Sequence, residues 1–252
     1  ENVSGEVVIP STIMGRPVVG IGPYAFGRNF LNTLNGDWAI TSITLPNTIT
    51  HIGRRAFVGC SGITSITLPS SVVSVGVEAF GYCGNLETAN IPNSAVLEAN
   101  IFVECFSLRS FTMPTATTII PTNIFANCTG LQSVTLHNNI TQINPYAFQN
   151  CEGLDSFNVP NSVTTIKGQA FIGCKNIETV KLGSNLTTVE YGAFYSCESL
   201  ESIFIPSSVT TIGDYAFGFN YWRGRPVKYD FFTIKTPQGS AAAAYATLHD
   251  FN

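Results

Sequence analysis

Ile63-Thr64-Ser65-Ile66-Thr67-Leu68-Pro69-Ser70-Ser71-Val72-Val73-Ser74-Val75-Gly76-Val77-Glu78-Ala79-Phe80-Gly81-Tyr82-Cys83 is one copy of a unit that recurs along almost the whole chain. Its phenylalanine returns as Phe26, Phe57, Phe80, Phe102, Phe125, Phe148, Phe171, Phe194 and Phe217, and from Phe102 onward the step is 23 residues every time. A fixed period of this size marks a solenoid, in which each coil buries its apolar side only by stacking on the next. The expected fold is a mainly β solenoid of about nine turns with 22–23-residue repeats.

Within the unit, the ninth and eleventh residues after each Phe from Phe57 to Phe194 are apolar and, up to Phe171, are separated by one polar residue. Ile66 and Leu68, Phe111 and Met113, and Phe157 and Val159 are examples. This period-two alternation predicts a short strand with one buried face, such as Ser65-Ile66-Thr67-Leu68. Pro69, Pro92, Pro114, Pro160 and Pro206 then end it, because a residue without an N–H cannot continue the ladder. A second apolar row stands five residues before each Phe, from Ile21 through Ile166 to Ile212, and predicts a second extended stretch on the opposite wall. Gly22, Gly53, Gly76 and Gly213 follow this row, with Gly168 slightly offset, and are expected to give the corner its backbone freedom.

Two places depart from the period. One residue is missing between Pro92 and Leu97, in a way that keeps Glu98 out of the core, and about eight are inserted between Phe26 and Ile43, including Trp38. Insertions of this kind sit in loops on one side of a solenoid. After Phe217 the pattern stops. Residues 218–238 are rich in aromatic and basic side chains, and Ser240 to Leu248 is an Ala-rich run of high helix propensity. The chain therefore divides into a solenoid over 1–217 and a helical cap over 218–252, the cap covering an apolar end that a solenoid otherwise exposes.

Charged residues make up 11% of the chain with a net charge of -4, well below the usual ~25%. Ser, Thr, Asn and Gly must cover the surface, and the balance is not that of a nucleic-acid binder. No run of about 18 apolar residues is present to span a bilayer. A first residue Glu1 rather than Met reads as a mature or trimmed chain.

The pattern Leu-x-x-Ile-x-Leu-Pro-x-Ser-Val-x-x-Ile-Gly-x-x-Ala-Phe-x-x-Cys, clearest over Ile63–Cys83 and Leu200–Phe217, resembles the BspA-like leucine-rich repeat family of bacterial surface proteins. The closing Gly239-Ser240-Ala241-Ala242-Ala243-Ala244-Tyr245-Ala246 is similar to that family's helical end segment. The resemblance implies a right-handed leucine-rich-repeat superhelix with short parallel strands, and an exported, cell-surface or secreted adhesion protein. The partner it implies is a host or cell-surface protein, or a glycan.

Cys60, Cys83, Cys105, Cys128, Cys151, Cys174 and Cys197 each stand three residues after a Phe and are all the cysteines of the chain. One thiol per coil, with no Cys-x-x-Cys pair and no nearby His, is not a zinc pattern. Residues in register on successive coils also point the same way, whereas a disulfide needs converging side chains. The thiols are expected to be buried apolar fillers. Gly20-Ile21-Gly22-Pro23-Tyr24-Ala25 superficially matches a dinucleotide fingerprint but is one instance of the corner motif. His51, His137 and His249 fall in unrelated phases, and no hydrolase or metalloprotease motif occurs. No enzyme activity, cofactor or metal is expected.

The remaining candidates are outward residues of the strand wall. They are the seventh-position row Glu87, Arg109, Gln132, Asp155, Glu178 and Glu201, with Lys181 and Phe204. Trp222 and Arg223 of the aromatic-basic segment join them, since exposed Trp and Arg dominate many interfaces. The expected module binds through this face as a monomer, without nucleic acid and without inserting into a membrane. The alternative is a spacer that holds another domain away from the cell.

Overall fold

The computed structural model describes residues 5–27, 40–222 and 225–251, and only the backbone of Tyr221 and Trp222. Most of the insertion after Phe26, with Trp38, lies outside them, as does Arg223.

Successive coils stack in register by one repeat. On the first wall the strands Ser110–Thr112 and Ser133–Thr135 pair in parallel, with Phe111 opposite Val134. Ser156–Asn158, Thr179–Lys181 and Ser202–Phe204 continue the same wall. Ile66, Phe111, Phe157, Val180 and Ile203 point inward and are buried, while their neighbours on the strands face solvent. The second wall is built from two-residue strands such as Thr165–Ile166 and Thr188–Val189, also parallel and in register.

The missing residue shows in the second wall. One four-stranded sheet runs from Gly20–Ile21 to Val96–Leu97, and a separate five-stranded sheet runs from Ile119–Ile120 to Thr211–Ile212. Ala95 makes the turn bond that Val72 makes one coil earlier, and Leu97 is the register partner of Val75. The single Val96 therefore spans a stretch where Val73 and Ser74 stand a coil before. Thr117 mends the gap. It is buried in a row that elsewhere holds Ile140, Val163 and Val209, and its hydroxyl donates to the Ala95 carbonyl while accepting from the Leu97 N–H, each at 3.1 Å. Glu98 is exposed, as the position of the deletion requires.

The corner is the most regular part. Phe26 to Phe217 form one stack, with neighbouring ring centroids 4.8–6.0 Å apart and planes within 25° of parallel. Each Phe N–H donates to the carbonyl of the residue that precedes the next Phe, as Phe148 does to Ala170 at 2.8 Å. Each cysteine thiol donates to the Phe carbonyl of the coil before, from Cys60 on Phe26 at 3.3 Å to Cys197 on Phe171 at 3.3 Å. The thiols thus fill space and also cross-link consecutive coils.

The corner glycines act differently from the expectation. None of Gly22, Gly53, Gly76 and Gly213 has a positive φ. A Cβ on Gly53 would stand 2.7 Å from the Pro23 nitrogen, and one on Gly76 would stand 2.9 Å from the Arg54 nitrogen, so these residues permit close approach of adjacent coils. Among the described residues nothing stands within 4 Å of a Cβ placed on Gly22. One left-handed bend lies two residues before Phe instead, at Tyr24, Arg55, Glu78, Asn100, Asn123, Tyr146, Gln169, Gly192 and Tyr215, with φ between 54° and 62°, and a second lies two residues after it, at Gly59, Tyr82, Glu104, Asn127, Asn150, Gly173 and Ser196, with φ between 53° and 73°. A non-Gly residue in this region is strained by about 1–3 kcal/mol. The bend before Phe aims its N–H at the next coil, as in Asn100 to Thr122 at 3.0 Å and Gln169 to Tyr191 at 3.0 Å.

The solenoid makes about seven turns, rather than the nine that counting phenylalanines suggests. Seven of the nine corners lead into a Phe-x-x-Cys coil. Phe26 leads into the insertion and Phe217 into a hairpin, so these two corners do not each close a further regular coil. That antiparallel hairpin pairs Phe219–Trp222 with Arg225–Lys228. The chain then returns to the first wall, where Thr233–Lys235 pairs in parallel with Ser202–Phe204. The wall thus runs on past residue 217, the expected boundary of the solenoid.

The helix Ala241–Leu248 follows, N-capped by the Ser240 hydroxyl, which accepts from the Ala243 N–H at 3.2 Å. Ala242 and Tyr245 on this helix, with Phe219 and Phe232, bury the end of the stack. The Tyr245 hydroxyl accepts from the Phe217 N–H at 3.3 Å and donates to the Phe217 carbonyl at 3.2 Å.

Candidate interaction face

The first wall presents its candidates in two parallel rows. Backbone bonds between coils tie them together: Glu87 N–H to the Thr64 carbonyl, Gln132 to Arg109, Glu178 to Asp155, and Thr233 to Glu201. Glu87, Arg109, Gln132, Asp155, Glu178, Glu201, Lys181 and Phe204 are all exposed, each about one strand spacing, ~4.8 Å, from its counterpart on the next coil. Three consecutive carboxylates, Asp155, Glu178 and Glu201, stand in one row. Like charges on adjacent strands destabilise a sheet by some tenths of a kcal/mol.

Three residues further along the strands the charge changes sign. Lys181 is the register partner of Phe204, and Phe204 is the partner of Lys235. Both lysines are exposed, and Phe204 is 57% exposed. The sequence reading passed over Lys235 because it lies beyond the last repeat. The signal was present: Thr233-Ile234-Lys235-Thr236-Pro237 repeats the form of Ser202-Ile203-Phe204-Ile205-Pro206.

Of the segment after Phe217, Arg223 and the side chain of Trp222 lie outside the described residues; the backbone of Trp222 pairs with Arg225. Around them Phe219 and Phe232 are buried, whereas Phe231 is exposed and stacks on Tyr229 with centroids 5.2 Å apart. His249 packs among Tyr245, Phe219, Phe251 and Tyr215 with centroids 4.5–6.4 Å apart. Burial pushes its pKa down, partly opposed by Asp214.

Burial holds six of the seven column thiols protonated. Burial raises the Cys83, Cys105, Cys128, Cys151 and Cys197 thiols well above their usual range, and pushes Cys174 up to about 12. A thiolate is the nucleophile and the metal ligand, so these groups are inert at neutral pH. Among the described residues no three of His, Cys, Asp and Glu come together to hold a metal ion. No helix among them is long and apolar enough to cross a membrane.

A family model described as the BspA type leucine rich repeat region matches residues 21–151 and 95–221, in six copies. Comparison with curated proteins gives no match. Among solved structures, a leucine rich cell surface protein from Faecalibacterium prausnitzii superposes with a TM-score of 0.67 at 24% identity, over 92% of this chain and 69% of that one. A leucine-rich repeat protein from Bacteroides ovatus gives 0.62 at 24% identity, over 94% and 64%. The pneumococcal vaccine antigen PcpA gives 0.56 at 17% identity, over 93% and 72%. The chain spans about two-thirds of the length of the first two. At these identities the likeness is one of fold.

Proposed function

We propose, on the premise that this chain belongs to the BspA-type leucine-rich repeat family, that it is a non-catalytic interaction module of an exported bacterial surface protein. It engages a protein or glycan partner through the outward face of the first wall. The observation that carries this reading is the wall itself, a register-locked surface of Ser, Thr and Asn crossed by an acidic row and a Lys-Phe-Lys row. Solenoids use such extended surfaces for recognition by many weak contacts. Two further observations support it. The solved chains of like fold include a bacterial cell surface protein, and the buried, high-pKa thiols leave the columns of the interior without a reaction to perform.

The test is binding of the purified protein to cells, and to immobilised surface proteins and glycans, with Arg109→Gln, Asp155→Asn, Glu178→Gln and Glu201→Gln combined. Binding that changes in this variant, in either direction, while the melting temperature holds supports the wall as the site. Binding that persists unchanged removes it. A protein that binds nothing on any surface is the spacer instead.

A further inference from the structure

The Lys181, Phe204 and Lys235 row differs in chemistry from the rest of the wall. Among the described residues Phe204 is the only aromatic at an outward position on the strands of this wall, and neither lysine is ion-paired. More than half of Phe204 is left open to solvent between two lysines. The three residues sit on adjacent strands, so the lysines stand about 9–10 Å apart with the ring midway. Asn158, the register partner of Lys181, extends the row by an amide.

We propose that this row is a subsite for an acidic polysaccharide in which carboxylate-bearing sugars alternate with uncharged ones, the chain running across the strands along the solenoid. The idea rests on the reading of the wall as the binding face and names its ligand class. One pyranose advances a β-linked polysaccharide by a distance close to one strand spacing. An uncharged sugar can therefore lay its C–H face on Phe204 while the carboxylates on either side meet Lys181 and Lys235. Asn158 then bonds a hydroxyl of the next ring.

An acidic peptide fits less well. An extended peptide advances about 3.3 Å per residue, out of step with the strands, and the face of a sheet offers no unpaired backbone for strand addition. The acidic row bounds the path of the polyanion on one side. Glu178 and Glu201 lie three residues earlier on the strands, about 10 Å away, which is just beyond one screening length at physiological salt. A polyanion on the lysine row is therefore largely screened from these carboxylates, and their repulsion grows only if it shifts towards them or the salt is lowered.

Titration calorimetry with a hyaluronan octasaccharide, a neutral chito-oligosaccharide of equal length and a poly-glutamate peptide tests this. The octasaccharide is expected to bind, and Phe204→Ala to weaken it about tenfold or more. Lys181→Gln and Lys235→Gln should each weaken it several-fold and flatten its salt dependence, while Glu178→Gln with Glu201→Gln should tighten it chiefly at low salt. Failure of the octasaccharide to bind, equal or tighter binding of either other probe, or an unchanged affinity in Phe204→Ala overturns the assignment. Amide exchange with each probe bound separates the two readings. Protection of the first wall by the neutral probe or the peptide alone sinks the acidic glycan but keeps the wall, whereas protection elsewhere sinks both.

Discussion

Phe148 in the middle of the stack and Phe217 at its end face the same problem with different neighbours. The Phe148 N–H donates to Ala170 of the next coil at 2.8 Å, and its carbonyl accepts from the Cys174 thiol at 3.0 Å. Phe217 has no further regular coil. One hydroxyl, that of Tyr245, supplies both the missing acceptor and the missing donor, at 3.3 and 3.2 Å. At this point of the corner, a coil gives its predecessor one acceptor, one donor and an apolar surface. A tyrosine provides all three, so a single helix residue stands in for a coil. The longer bonds mark the end as the weaker place.

The comparison can be broken most forcefully in the middle. Phe148→Ala removes a ring stacked between Phe125 and Phe171, and should destabilise the protein by about 3–5 kcal/mol in denaturant unfolding. Exchange protection should fall in the coils on both sides. At the end, Tyr245→Phe keeps the ring and leaves the Phe217 N–H and carbonyl without the hydroxyl, an expected loss of about 1–3 kcal/mol. Here the faster exchange should stay within the last coil and the helix. An effect of Tyr245→Phe that spreads to Phe148 would mean that the end is as cooperative as the middle.

The two kinds of corner residue offer a finer test. Gly76→Ala forces a Cβ against the backbone of the coil before and should cost about 1–3 kcal/mol, whereas Asn100→Gly relieves a left-handed residue and should be neutral or slightly stabilising. Equal destabilisation by both would contradict the division of roles between these positions.

The smallest expected effect depends on pH and is confined to the end. The pKa of His249 is lowered in the folded protein from an ordinary value of 6.5. The unfolded chain therefore takes up the proton first as pH falls. Its contribution to stability is complete above about pH 6.5 and declines below it, until the folded state also protonates. Melting between pH 7.5 and 5 should show a downward slope that His249→Gln flattens, with exchange rising in the helix Ala241–Leu248 while the Phe148 region stays unchanged. A slope that persists in the variant would assign it to other groups.

The repeat made the interior readable because each coil must present the same side chain to the same place. Phe at the corner, Ile66 or Phe157 on the first wall and Ile166 on the second were all legible from spacing alone. The deletion was also legible as a gap before Leu97, but its repair was not. Thr117 looks like an ordinary β-branched residue until its hydroxyl is seen between Ala95 and Leu97. Lys235 was hidden for a different reason: the hairpin Phe219–Lys228 interrupts the period, and only the return of the chain to the wall sets it beside Phe204. Eight of the ten candidate residues proved to share one exposed face, because strand alternation dictates which side chains point outward. The seventh-position row with its carboxylates was already legible from spacing, and only the Lys-Phe-Lys row needed the register that pairs Phe204 with Lys235.

The amino-acid sequence by itself determined the stacked coils, the two strand walls and the buried columns of Phe and Cys, since periodic burial of apolar surface requires periodic apolar residues. The tertiary structure alone decided where the backbone bends and what closes the end. The left-handed residues before Phe are mostly not glycine, and the corner glycines Gly53, Gly76 and Gly213 are not left-handed, because each of these is selected by the distance to the neighbouring coil. The partner of Phe217 lies 28 residues away, beyond the last repeat. Contacts between coils set both, and no local preference in the chain encodes a distance to a neighbour.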